Sequence, residues 1–328
     1  MASGKLLRQL VRYGAYGDVR NFRTAAEAAI EEERQKQHHL LANDLERLLY
    51  AEHMALDGSA CLRQQLSQLP SSRDSELPLL EQRPVVRDEA DIILAEPTAR
   101  ALADIMREHQ RADVLRLHGL QPATKLLFFG PPGCGKTVAA EVLANRLNLP
   151  LVLVRLDSLV SSFLGETAAN LRRVFDFITE TPVLALFDEF DALTKDRGDS
   201  SDHGELKRAV NAVLQMMDSY RGRSILIATT NYASLLDRAI WRRFDEILRF
   251  DKPNEDQIKR LLARKLAGVR RNFEVDNPKI LKVLNNLAHA EIERVLRRAI
   301  KEMILAGREF LESTDLIRSR HREDSFES

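Results

Sequence analysis

The chain has 328 residues, which is enough for roughly two or three globular units. Its 49 basic and 49 acidic residues cancel, so the bulk charge gives no reason to expect binding to DNA, RNA or anionic lipid. Two cysteines, Cys61 and Cys134, are too few for a disulfide framework, and the lack of a signal-peptide pattern or of a run of about 20 apolar residues predicts a cytoplasmic protein without a membrane span.

The first 64 residues are predicted to form a helical N-terminal module (1–64), because apolar side chains recur at the spacing of one helix face. These side chains are Phe22, Ala25, Ala26, Ala29, Ile30, Leu41, Leu45, Leu48 and Leu49. Residues 65–90 gather prolines and serines among scattered charges, which is typical of a linker.

Residues 91–252 are predicted to fold as an α/β domain with a parallel five-stranded sheet flanked by helices. A helix over 97–117 comes first, and five short apolar runs then alternate with amphipathic segments, as strands buried on both faces require. The predicted strands are Lys125–Phe129, Leu151–Arg155, Val183–Phe187, Ser224–Thr229 and Glu246–Phe250.

The strand pattern ends after Pro253. Helices over 254–268 and 291–305 predict a small helical lid domain, which we bound at 253–315. The remaining residues, 316–328, are highly charged and are predicted to be a flexible tail.

The segment from Gly130 to Thr137 matches the P-loop pattern G-x-x-x-x-G-K-[ST], directly after a predicted strand and directly before a helical run. In such a loop, backbone N–H groups surround phosphates, Lys136 reaches the terminal phosphates and the Thr137 hydroxyl binds Mg²⁺. The predicted nucleotide contacts are Gly130, Pro131, Pro132, Gly133, Cys134, Gly135, Lys136, Thr137 and Val138. The alternative is a Gly-Pro turn that ends a strand.

Cys134 is either a small loop residue or a redox sensor near a helix N-terminus.

Two carboxylates follow the strand predicted over Val183–Phe187, at the end where ligands bind in open α/β sheets. Asp188 is predicted to hold Mg²⁺, and Glu189 to orient and deprotonate the water that attacks the γ-phosphate. An acidic turn in solvent is the alternative, and the P-loop about fifty residues earlier argues against it. The sequence therefore predicts an ATP hydrolase that uses ATP and Mg²⁺.

In order and spacing these motifs resemble those of the AAA ATPases, in the subgroup of protein-remodelling and protein-unfolding machines, over residues 91–311. Residues 228–231 are similar to the family's sensor 1, which implies that Asn231 lies beside the attacking water; a turn residue is the alternative. The resemblance also implies that Ala290 touches the adenine. His289 stands where the family has a glycine, and no sensor-2 arginine is evident.

Residues 236–245 are similar to the family's arginine-finger region, in which a guanidinium enters the neighbouring subunit's site and neutralises transition-state charge. The family's two arginines stand apart with a glycine before the second, whereas Arg242 and Arg243 are adjacent, so either could be the finger. Exposed arginines without a role are the alternative. A finger that acts in trans implies a homo-oligomer, and in this family a hexamer.

Phe163, Leu164 and Gly165 resemble pore loop 1 of the family members that thread polypeptides through a ring. An exposed aromatic side chain there would grip a polypeptide substrate through apolar contacts that need no particular sequence. Phe163 as an ordinary core residue is the alternative. The polar residues 194–205 are either a second pore loop or a solvated loop.

The leading prediction is an oligomeric ring ATPase that remodels or unfolds proteins. A nucleic-acid loader or initiator is the first alternative, disfavoured by zero net charge without aromatic–basic interleaving. A nucleotide-gated switch is the second, disfavoured because Glu189 and Asn231 are both present. The layout is also similar to bacterial ATPases paired with a subtilisin-like serine protease in plasmid-incompatibility or phage-defence systems, which implies a partner protease. The N-terminal helices would then recruit a substrate or partner, or help the ring assemble.

Overall fold

The structure of the protein is a computed structural model, which describes residues 8, 12–13, 19–36, 66, 69–71, 78–160, 166–190, 212–232 and 238–327. The chain divides into two compact units, Met1–Gln68 and Leu69–Ser328. All strands of the sheet lie in the second unit.

The first unit contains helix α1, Val19–Gln35. Ala25, Ala29 and Ile30 are buried on this helix, which confirms the predicted helical spacing for these residues. The leucines predicted on helix faces between residues 41 and 49 lie outside the described residues.

The second unit is built on a six-stranded sheet. In chain order its strands are β1 (Leu80–Arg83), β2 (Lys125–Phe129), β3 (Leu151–Val154), β4 (Leu184–Phe187), β5 (Ile225–Thr230) and β6 (Glu246–Arg249). The order across the sheet is β1-β3-β4-β5-β2-β6, with β1 antiparallel to β3 and every other pair parallel. The predicted α/β class is confirmed, and each of the five predicted strands is present to within one residue at either end.

Strand β5 lies between β2 and β4, and this position decides where the functional segments meet. Phe129 at the end of β2 is paired with Thr230 of β5, and Phe187 at the end of β4 is paired with Ala228 of β5. The segments that follow β2, β4 and β5 therefore start at the same edge of the sheet, which is the edge where open α/β sheets bind ligands.

The sixth strand, β1, corrects the predicted count of five and lies inside residues 65–90, which were predicted to be a linker. Its sequence is Leu-Glu-Gln-Arg, and its burial falls from Leu80, which is buried, to Gln82 and Arg83, which are exposed. A strand at the edge of a sheet is paired on one side only and can carry charged residues, so it shows no apolar run.

The second unit also contains helices. They are α2 (Glu96–Gln110), α3 (Ala112–Leu117), α4 (Lys136–Arg146), α5 (Leu156–Val160), α6 (Glu166–Glu180), α7 (Arg238–Trp241), α8 (Glu255–Lys265), α9 (Pro278–Leu284), α10 (His289–Leu305) and α11 (Ser313–Glu327), and residues 212–219 are also helical. The single helix predicted over 97–117 is interrupted at Arg111, whose non-helical backbone ends α2 and begins α3. Strands β4 and β5 are buried along their whole length, as strands covered on both faces must be.

Helices α8 to α11 contribute to a hydrophobic cluster of their own, separate from the cluster at the sheet. The two clusters are joined by the segment that precedes α2. There Ile92 packs against the cluster at the sheet, while its neighbour Ile93 belongs to the helical cluster. Two consecutive apolar side chains thus connect the α/β part to the predicted lid.

The prediction of a flexible tail over 316–328 was wrong, because α11 continues to Glu327. Leu316 and Ser319 are fully buried on this helix. Asp315 is also buried, and its carboxylate accepts two hydrogen bonds from the Arg308 guanidinium, at 2.9 and 2.8 Å. The charged sequence therefore contains a buried helix face and a buried carboxylate paired with a half-buried arginine, which composition alone does not reveal.

Replacing Asp315 with Ala is expected to lower the midpoint of thermal unfolding by several degrees, because the change removes three hydrogen bonds to a buried carboxylate. Arg308 holds the pKa of Asp315 below its usual value, so this stabilisation is present above about pH 4 and is lost as the pH falls through the lower folded pKa. Glu309→Ala is the matched control, since the Arg270–Glu309 pair is exposed. Equal midpoints for both variants across the pH range would contradict this account.

Candidate nucleotide-binding site

A pocket lies where β2, β4 and β5 end, and its volume of about 310 Å³ is at the lower end of the range for small-molecule sites. It is lined by the P-loop, the acidic turn after β4, the end of β5 and the start of α10. The lining includes Pro132, Gly133, Cys134, Gly135, Lys136, Thr137, Val138, Asp188, Glu189, Thr229, Asn231, His289 and Ala290. Segments predicted separately from the sequence therefore share one pocket.

The glycines of the P-loop permit backbone shapes that other residues resist. Gly130 has φ +140°, and a Cβ there would lie only 1.9 Å from the carbonyl oxygen of Phe250. Gly135 is the N-cap of α4 and has φ +94°, in the left-handed region that favours glycine. The loop can therefore bend closely around a ligand at the N-terminus of α4, which is a favourable place for phosphate.

Lys136 is held at the centre of this arrangement and is only 7% exposed. Its Nζ donates hydrogen bonds to the carbonyl oxygens of Gly130 at 2.7 Å and Pro131 at 2.9 Å, and to Oδ1 of Asn231 at 2.8 Å. Gly130 and Pro131 begin the loop, and the loop residues that line the pocket follow them. Gly130 and Pro131 orient the lysine, because their carbonyl groups are acceptors.

Thr137 and Asp188, the two predicted Mg²⁺ ligands, face each other across the pocket. The Thr137 hydroxyl lies 3.2 Å from Oδ2 and 3.5 Å from Oδ1 of Asp188. Hydroxyl and carboxylate oxygens are the ligands that Mg²⁺ prefers, and proteins bind this ion through one or two such groups together with substrate phosphates. The residues present therefore fit a magnesium–nucleotide complex.

Glu189 follows Asp188 in a tight turn, and its side chain is exposed at the pocket. Its φ is +51°, which is uncommon for a residue with a side chain. Its backbone N–H is directed at Oδ1 of Asp188, at 3.2 Å, and at Oγ1 of Thr229, at 3.1 Å. Thr229 had no role in the sequence-based prediction; a threonine in a β-strand is unremarkable until its neighbour in the sheet is known.

The chain is similar to known proteins over most of its length. The profile of the family described as "ATPase family associated with various cellular activities (AAA)" matches residues 126–252. An uncharacterized AAA family ATPase of Sinorhizobium fredii, y4kL, is 40% identical over 319 residues, which are 97% of this chain and 94% of that protein. The chain belongs to the AAA family of ATPases.

A more distant AAA relative is named proteasome-activating nucleotidase 1, from Haloferax volcanii. It is 34% identical over 188 residues, which are 55% of this chain and 46% of the relative. The similarity is thus strong along the whole chain for the Sinorhizobium protein and partial for the nucleotidase.

Helix α10 contacts the P-loop directly at the pocket. The backbone N–H of Ala290 donates to the carbonyl oxygen of Gly133 at 3.0 Å. The preceding residue, His289, also lines the pocket. Burial lowers the pKa of His289, although the backbone of Ile93 and the carboxylate of Glu293 act in the opposite direction. Burial therefore favours the neutral form of the ring, which lines the pocket beside Ala290.

Cys134 is 2% exposed, and burial raises the pKa of its thiol. Lys136 and Lys252 lower this pKa, but burial is the larger influence. The thiolate is the reactive form of cysteine, so a raised pKa disfavours the redox-sensor interpretation. Cys134 is then a small apolar residue of the loop.

Neither candidate arginine finger lines the pocket of its own chain. The Arg243 guanidinium forms an ion pair with Asp218 at 2.7 Å, whereas the Arg242 side chain is exposed. The preceding residue, Trp241, packs edge-on against Phe129 at a ring-centroid distance of 5.1 Å. The arginine segment is thus anchored to the end of β2, the strand that leads into the P-loop.

Phe163, Leu164, Gly165 and the polar segment 194–205 lie outside the described residues. The predictions of two pore loops therefore stay predictions. Within the part of the chain that the structure describes, no helix is both long and apolar enough to cross a membrane.

Proposed function

We propose that this AAA ATPase hydrolyses ATP in the described pocket as a homo-oligomeric ring, expected to be a hexamer, and uses the energy to remodel or unfold polypeptides. The convergence of Lys136, Thr137, Asp188, Glu189 and Asn231 in one pocket carries the proposal for hydrolysis. These five side chains supply the groups that one subunit contributes to in-line transfer of a phosphoryl group to water.

Each group has a chemical role in the proposal. Lys136 neutralises charge on the terminal phosphates, and Thr137 and Asp188 hold Mg²⁺ together with phosphate oxygens. The bound ion supplies positive charge that stabilises the transition state. Glu189 orients the attacking water and accepts its proton, and Asn231 donates a hydrogen bond to the same water. Ala290 and the P-loop contact the nucleotide at the lid side.

The transition-state charge calls for one further cation, and we propose that Arg242 of a neighbouring subunit provides it. A finger has to leave the surface of its own subunit. The exposed Arg242 side chain meets this requirement better than Arg243, which is paired with Asp218 of its own chain. This choice implies that hydrolysis depends on assembly.

The remodelling part of the proposal is supported by the similarity to a proteasome-activating nucleotidase and by the resemblance of residues 163–165 to a pore loop. A partner protease, and an N-terminal module that recruits a partner or helps assembly, belong to the same proposal. Recovery of nucleic acid instead of polypeptide would favour the loader alternative.

The test of remodelling is a Phe163→Ala variant in a Glu189→Gln background, in which ATP stays bound. We expect the Glu189→Gln oligomer to retain a fluorescently labelled unfolded polypeptide when ATP is present, and the added Phe163→Ala change to abolish retention. Phe163→Tyr keeps the aromatic ring and is expected to preserve retention, since apolar contact makes the grip. Undiminished retention by the Phe163→Ala variant would contradict threading, and a lowered unfolding temperature would assign Phe163 to the core.

A further inference from the structure

Thr229 lies next to the two catalytic carboxylates, at the end of β5. Its side chain is 1% exposed, and it lines the nucleotide pocket. Its hydroxyl makes two hydrogen bonds at once. The group donates to Oδ1 of Asp188 at 2.5 Å and accepts the backbone N–H of Glu189 at 3.1 Å.

The hydrogen bond from Thr229 gives the two oxygens of the Asp188 carboxylate different partners. Oδ1 is held by the Thr229 hydroxyl, while Oδ2 lies closer to the Thr137 hydroxyl, at 3.2 Å. A carboxylate that is hydrogen-bonded through one oxygen cannot rotate freely about its Cβ–Cγ bond. The other oxygen is therefore kept on the side where Mg²⁺ would bind, and hydrogen bonds of this kind typically orient a metal ligand.

The bond to Glu189 acts on the backbone. A glutamate at φ +51° occupies a sparsely populated backbone conformation, which persists only where the surrounding structure maintains it. The backbone N–H of Glu189 donates hydrogen bonds to Thr229 and to Asp188. Thr229 belongs to β5, the strand adjacent to β4. This contact fixes the direction in which the Glu189 side chain leaves the turn.

We propose that Thr229 is a positioning residue that sets the orientation of Asp188 toward Mg²⁺ and of Glu189 toward the attacking water. The inference rests on the proposed hydrolysis of ATP and extends it to a residue that would act through Asp188 and Glu189. A hydroxyl suits this role because it donates to the carboxylate and accepts from the amide at the same atom.

The test compares Thr229→Val, which keeps the shape and removes the hydroxyl, with Thr229→Ser, which keeps the hydroxyl. Thr98→Val is the matched control, since Thr98 is also buried, its hydroxyl donates to the carbonyl oxygen of Arg249 at 2.6 Å, and it does not line the pocket. Three quantities are measured: turnover of ATP at saturation, the Mg²⁺ concentration that gives half-maximal turnover, and the ratio of nucleotide affinities with Mg²⁺ and with chelator, by fluorescence titration.

We expect Thr229→Val to lower turnover or Mg²⁺ affinity by about 10–100-fold, and Thr229→Ser and Thr98→Val to resemble the natural chain. The affinity ratio should fall for Thr229→Val, while nucleotide affinity in chelator stays unchanged. If Thr229→Val does not fold, Thr229→Ala takes its place beside the serine variant. Unchanged turnover and Mg²⁺ dependence in the variant that folds would overturn the inference and leave the proposed function intact, whereas a natural chain without ATP turnover would defeat the proposed function itself.

Discussion

Replacing Glu189 with Gln is expected to lower ATP turnover by about 10²–10⁴-fold, the contribution that a positioned general base makes to proton transfer. The amide has the same shape as the carboxylate but cannot take the proton of the attacking water. Because the Glu189 side chain is exposed at the pocket and Lys136, Thr137 and Asp188 are unaltered, nucleotide affinity and thermal stability should change little. Phosphate release and fluorescence titration with a labelled nucleotide measure the two quantities.

Glu180→Gln is the control for the change of charge, because Glu180 is an exposed residue at the end of α6 and does not line the pocket. Its phosphate release should equal that of the natural chain. If the Glu189→Gln protein released phosphate at the natural rate, the general base would have to be another group.

The second large effect is expected at the arginine segment. Loss of an arginine finger costs about 10³–10⁵-fold in turnover in other phosphoryl-transfer enzymes, and we expect Arg242→Ala to approach the lower end of this range. Nucleotide affinity should persist, since Arg242 does not line the pocket of its own chain. Turnover is measured at a protein concentration at which size-exclusion chromatography shows the oligomer.

Arg243→Ala serves as the comparison. Removing this side chain breaks the ion pair with Asp218, so we expect a lower unfolding temperature and a smaller loss of turnover. The opposite ranking, with Arg243→Ala inactive and Arg242→Ala active, would assign the finger to Arg243 and would mean that the pair with Asp218 opens on assembly.

The buried part of the fold was predictable because its signal is local. Strands β2, β4 and β5 each contain four consecutive apolar residues, and a strand covered on both faces requires such a run. Strand β1 was missed because an edge strand carries no such requirement. The helix α11 was missed because its charged residues conceal the buried Leu316 and the contact of Asp315 with Arg308.

In the candidate site, too, some features have a local sequence signal and others do not. The P-loop and the pair of carboxylates could be predicted because each is a run of consecutive residues. The role of Thr229 depends on which strand lies beside β4, and the lowered pKa of His289 depends on its burial against the segment around Ile93. These are properties of tertiary structure, and nothing in the neighbouring sequence specifies them.

The central claim, that the site is completed by a neighbouring subunit, is tested most directly by mixing two inactive variants. Arg242→Ala and Glu189→Gln proteins are combined at several ratios, allowed to exchange subunits, and assayed for phosphate release. A site that joins Glu189 of an Arg242→Ala subunit to Arg242 of a Glu189→Gln subunit is intact, so turnover should rise above that of either variant and be highest near equal amounts. Turnover that equals the weighted sum of the separate variants at every ratio would contradict a shared site.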